Sequence, residues 1–129
     1  MDARHQQQGD SASRFLLNTA FELTDELRGA GYAAKPIVGR CGANIALYNR
    51  KEDLVAETDG RFDDRDTIYQ ELFRLPQIEG RNAQIQAFSV AGNFAGAGIR
   101  LDSSLIITTD SDLLPLRVLP DDEFLALGP

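Results

Sequence analysis

The chain has 129 residues, 43% of them apolar, and a formal net charge of −7. Its length suits one domain with a real core. Its acidity disfavours direct contact with nucleic acid or anionic lipid, because phosphate repels it at long range, and it better suits a metal or a protein partner with a basic surface.

Residues 1–10 are polar, Gln-rich and without periodicity, and are expected to be a disordered tail ahead of a single domain over 11–129. The segment SASRFLLNTAFELTDELRGAG, residues 11–31, has Leu16, Ala20, Leu23 and Leu27 at helical spacing. Asp10, Ser11 or Ser13 could cap that helix, and Gly29 and Gly31 could stop it. Pro36 then favours extended chain, continued by Ile37 and Val38. Residues 43–50 fit a short helix, through Ala43, Ala46 and Leu47, and also a strand, through Ile45 and Leu47; the helix is preferred.

Leu54 to Phe62 alternates as a strand, with Val55, Glu57, Asp59 and Arg61 on one side. DDRDTIYQELFRLP, residues 63–76, reads as a helix capped by Asp63 or Asp64, with Ile68, Leu72 and Leu75 buried and Pro76 at its end. Residues 82–90 form an expected strand, 91–98 a Gly-rich turn, 99–109 a second strand, and 113–119 a short strand that Pro115 marks as an edge or a start. Residues 120–127 begin a last helix. The expected class is therefore α+β, with helices packed on one mixed or mostly antiparallel sheet.

Several chemistries are excluded. Cys41 is the only cysteine, so the sequence holds no internal disulfide and no cysteine zinc site. Cys41 is expected to be a small buried thiol. His5 is the only histidine and lies in the polar tail, away from any nucleophile a triad would need. The glycines 92, 96 and 98 lead into strand-like sequence without the Lys of a phosphate loop. No apolar run reaches the roughly 18–20 residues of a membrane span, and the N-terminus lacks the apolar centre of a signal peptide. A cytoplasmic location, or one inside a cytoplasmically assembled particle, is expected.

The best chemical candidate is VAETDGRFDDRD, residues 55–66. On one strand face, Glu57 and Asp59 would stand about 6.5–7 Å apart, a spacing that lets two carboxylates share a hard cation such as Mg²⁺. Arg61 on that face could instead neutralise them, leaving a solvated strand end that runs into a capped helix.

The fragments VGRCGANIAL, ETDGRF with DDRDTIYQEL, and LRVLPDDEFLAL together resemble the minimal nucleotidyltransferase-like fold of antitoxin-type proteins. That resemblance implies that Gly42 is a turn glycine, that Glu57 and Asp59 are a catalytic, Mg²⁺-binding pair, and that Arg40 or Arg50 approaches a nucleotide phosphate. Cys41 stands where the family has its first turn glycine, and Glu57 where it has its first Asp.

Two functional expectations follow. The preferred one is a small acidic, non-catalytic protein-binding or assembly module, such as a regulator, an inhibitor or a phage-type particle component, without a cofactor. Its partner contacts would be Phe94, Asp110, Asp112, Asp121, Asp122 and Glu123, six residues among which acids dominate; beyond position 100 the only base is Arg117. A homo-oligomer assembled through an edge strand is left open. The alternative is a Mg²⁺-dependent nucleotidyltransferase-like or nucleotide-binding protein using Glu57 and Asp59.

Overall fold

A computed structural model describes residues 16–126. The chain divides into two compact units, Met1–Phe73 and Arg74–Pro129. The expected tail over 1–10 and the expected caps at Asp10, Ser11 and Ser13 lie outside the described residues.

Unit 1 is an antiparallel sheet with one short helix. Its strands are β1 (Thr19–Ala20), β2 (Tyr32–Pro36), β3 (Ala46–Tyr48), β4 (Leu54–Glu57) and β5 (Thr67–Glu71), in the order β1-β5-β2-β3-β4. Helix α1 (Asp25–Ala30) precedes β2. Thr24 caps it, its hydroxyl accepting from the Leu27 amide at 3.3 Å. Leu27 is fully buried. Gly31 ends the helix at φ +85, and a Cβ there would stand 3.0 Å from the Tyr48 carbonyl oxygen. Only glycine suits both the left-handed backbone and the close approach.

Tyr32 and Tyr48 face each other across β2 and β3 with stacked rings 4.8 Å apart, and Tyr69 meets Tyr32 edge-on at 6.0 Å. Burial raises the Tyr32 pKa above its ordinary value, and the nearby Glu52 carboxylate adds to the shift. These are the chain's three tyrosines, and it has no tryptophan, so its intrinsic fluorescence reports on unit 1.

Unit 2 is a four-stranded antiparallel sheet in the order β6-β7-β8-β9, formed by β6 (Gln77–Ile78), β7 (Arg81–Val90), β8 (Asn93–Asp102) and β9 (Asp112–Pro115). Helix α2 (Asp121–Ala126) follows. Strands β7 and β8 make a long hairpin closed by Ala91 and Gly92, both at positive φ (49 and 80), as a two-residue hairpin turn requires. A bulge shifts the register between Phe88 and Ser89. Ala83, Ile99 and Leu101 form the buried cluster.

The α+β expectation is overturned: among the described residues the chain is chiefly β-sheet, with two helices of six residues each. Thr19–Ala20 and Asp25–Ala30 replace the long helix expected over 11–31, because β1 pairs with β5 and Thr24 starts the helix late. The expected helix over 63–76 is β5. Its Thr67, Ile68 and Tyr69 favour strand, and pairing with β1 on one side and β2 on the other outweighs the helical spacing of Ile68, Leu72 and Leu75. The preferred helix over 43–50 is also a strand, β3, with Leu47 buried on one face and Tyr48 stacked on the other. The Gly-rich turn expected over 91–98 shrinks to Ala91–Gly92, and Asn93 already belongs to β8. The expected strand over 99–109 ends at Asp102. No helix among the described residues is long and apolar enough to cross a membrane.

Candidate functional site

The VAETDGRFDDRD stretch lines an open cleft of about 330 Å³ in unit 1, bounded by Lys35 and Pro36 of β2, the segment Asn44–Ala46, and the segment Glu57–Asp63. Strand β4 ends at Glu57, so Asp59 stands in the following loop rather than on the strand face expected for it. Both residues nonetheless line the cleft.

A clamp between two loops shapes this cleft. The Thr58 hydroxyl donates to the Gly42 carbonyl at 2.5 Å and accepts from the Ile45 amide at 3.1 Å. Asn44 sits at φ 55; its Oδ1 accepts from the Phe62 amide at 3.0 Å and its Nδ2 donates to Asp63 at 2.6 Å. Asn tolerates the left-handed backbone better than most residues because its short polar chain bonds locally. Gly60 passes so close that a Cβ there would overlap Asn44 Oδ1 at 2.1 Å and approach the Ala43 Cβ at 2.8 Å.

Charges in the cleft are partly spoken for. Lys35 donates to Gln70 Oε1 at 2.7 Å, Arg65 lies 3.4 Å from Asp64, and Asp63 is held by Asn44. Glu57 and Asp59 face the remaining open space, and their like charge disfavours anions there. Among the described residues no three His, Cys, Asp or Glu side chains converge as a metal-binding set, so the expected Mg²⁺ pair is not built into a metal centre, and no chemical step is routed through one.

The other expected residues are dispersed. Gly42 is part of the clamp, and Arg40 is exposed in the same loop. Arg50 lies beyond the other end of β3, in a turn closed by Asn49 and Asp53, so it does not join Gly42. Cys41, expected to be buried, is exposed at φ 56, because the tight turn holds it outside any core. In unit 2, Phe94 is exposed near the hairpin tip, Asp110 lies in an exposed turn, and Asp112 pairs with Arg81 at 2.7 Å. Asp121, Asp122 and Glu123 form the first turn of α2, and Glu123 pairs with Arg117 at 2.9 Å. Such exposed pairs add little stability.

Residues that sequence reasoning passed over hold unit 2 together. The buried Asn82 donates to the Ser104 carbonyl at 2.8 Å. Asp102 accepts from the Ser111 hydroxyl at 2.5 Å and from the Ser104 amide at 2.7 Å. Arg100 donates to the Thr108 carbonyl at 2.7 Å. Together they tie down residues 103–111. The run Asp-Ser-Ser at 102–104 carries a legible signal for such a turn. The Ser111 hydrogen bond, aided by the backbone amide of Ser104, holds the Asp102 carboxyl below its ordinary value. Its folded pKa is thus below its unfolded one. The resulting stability is present above the unfolded value and is lost as pH falls below about 4. Amide signals of Ser104 and Ser111, followed by NMR on acidification, should show unit 2 loosening in that range. Ser111→Ala should flatten the response, and an equally steep response in that variant would refute the role given to the hydroxyl.

Comparison with known proteins decides the family. The family model described as glutathionylspermidine synthase preATP-grasp matches residues 6–119. The chain belongs to the glutathionylspermidine synthase preATP-grasp family. It is 45% identical over 106 residues to the bifunctional glutathionylspermidine synthetase/amidase of Escherichia coli K12, covering 82% of this chain and 17% of that protein. The relative of the same name in Shigella flexneri matches to the same extent. The trypanothione synthetase of Crithidia fasciculata is 45% identical over 103 residues, covering 80% of this chain and 16% of that protein. The chain thus spans about a sixth of the length of these relatives.

Membership in this family overturns two expectations. The resemblance to an antitoxin-type nucleotidyltransferase-like fold does not hold, and with it falls the nucleotidyltransferase-like function. The preferred reading as a non-catalytic regulatory, assembly or phage-particle module is replaced by a domain of an enzyme family. The fragments that prompted the resemblance were short. The structure gives them other roles: ETDGRF leaves a strand for the clamp loop, and TIYQEL supplies a strand where that fold has a helix.

Proposed function

We propose that this glutathionylspermidine synthase preATP-grasp chain is part of a synthetase that joins a carboxyl group to a polyamine nitrogen, at the expense of ATP, to form a glutathionylspermidine-type amide. Forming an amide from a carboxylate and an amine in water is uphill, so the carboxyl must be activated. The family's description places this segment beside an ATP-grasp unit, which fits that need. The observation that carries the reading is the 45% identity to two separately named synthetases, one for glutathionylspermidine and one for trypanothione.

The test is a chimaera. This chain's matched segment replaces the corresponding 106 residues of the Escherichia coli relative. The purified chimaera is then assayed for ATP-dependent formation of glutathionylspermidine from glutathione and spermidine. Product formation within about tenfold of the parent, or about 1.4 kcal/mol in transition-state stabilisation, is expected. A folded chimaera that makes no amide would refute the reading.

A further inference from the structure

One face of the unit 2 sheet is apolar and open at one end. The register sets Ile85, Ile99 and Leu114 side by side across β7, β8 and β9, with Ala87 opposite Ala97 next along and Phe94 opposite Ser89 beyond the bulge. Directly opposed residues share a face of an antiparallel sheet. At one end of the strip Ala83 and Leu101 are buried with Ile99. Towards the hairpin tip the strip is bare: Ile85 is 63% exposed, Phe94 63% and Leu114 41%. The charged pair on this face, Arg81–Asp112, neutralises itself at the far end. The opposite face carries Gln84, Gln86 and Arg100. Single exposed apolar side chains are ordinary, whereas a contiguous uncharged strip that continues a buried cluster marks a contact surface.

We infer that this strip is the seat of the remainder of the synthetase, meaning an apolar surface of the ligase portion that the matched segment does not cover. The inference rests on the ligase reading above. Two observations choose this occupant. The chain corresponds to about a sixth of its relatives, so most of such an enzyme lies outside it. The family model, which names an adjoining ATP-grasp unit, runs through β7, β8 and β9, so the strip belongs to the part that such an enzyme shares.

Cysteine labelling tests it. In a Cys41→Ser background, Ile85→Cys is reacted with a maleimide and read on its own peptide by mass spectrometry, each rate being normalised to the urea-unfolded protein. The label should enter at least tenfold more slowly in the chimaera than in the 129-residue chain alone. A second measurement does not need the chimaera to fold. The isolated variant is labelled with and without the Escherichia coli relative from which the matched segment has been removed, and slowing is again expected. Equal rates in an active chimaera, or no slowing in either format, would overturn the inference. Slow labelling in a chimaera that makes no amide would leave the seat standing and sink the ligase reading instead.

Discussion

Gly60→Ala should destabilise unit 1 by roughly 2–3 kcal/mol, a cost typical of forcing extra volume into a packed contact that also holds hydrogen bonds. The added methyl would overlap Asn44 Oδ1 at 2.1 Å and crowd the Ala43 Cβ at 2.8 Å. Asn44 cannot simply turn away, because its side chain binds both the Phe62 amide and Asp63. Tyrosine fluorescence during urea unfolding reads this unit, and the midpoint should fall by about 1 M. The physical claim is a contact between two residues, so a double-mutant cycle sharpens it. In an Asn44→Gly background, Gly60→Ala should cost about 1 kcal/mol less, because the atom it strikes is gone. An unchanged midpoint for Gly60→Ala would show that the two loops are not clamped, and the cleft would lose its defined wall.

The second large effect is expected at Leu27. It is the largest fully buried side chain, and it docks a helix of six residues. A helix that short does not persist in water without tertiary packing. Leu27→Ala should therefore cost about 2–5 kcal/mol, through lost burial and the cavity left behind. Loss of the helix would also weaken the 2.6 Å pair between Arg28 and Glu52, and so the setting of the tyrosine cluster. Phe21→Ala is the control: at 74% exposure it should change stability by less than about 0.5 kcal/mol. If the two substitutions gave the same small effect by tyrosine fluorescence, α1 would not be part of the cooperative unit.

Composition and local pattern determined a good part of this protein. Charge, the lone Cys41 and the lone His5 excluded whole classes of chemistry before any fold was known. Alternation marked β4 and β7, and the acidic start of residues 121–126 marked α2. The stretch from Glu57 to Asp63 was legible as a place where carboxylates gather, and it does line the cleft.

Partner strands decided the rest. Thr67–Glu71 has helical spacing and strand-forming residues at once, and only the presence of β1 and β2 on its two sides settles the contest. Local sequence carries no record of which distant backbone will supply hydrogen bonds. The same holds for Asn44 and Gly60, whose meaning is a 2.1 Å conflict between positions 16 residues apart. It holds for Asn82, Asp102 and Ser111, which read as ordinary polar residues until the fold closes a loop around them. The apolar strip on β7, β8 and β9 is of this kind as well. Each strand shows its own alternation, but register alone sets Ile85, Ile99 and Leu114 abreast, because a shift of one residue would turn each to the other face.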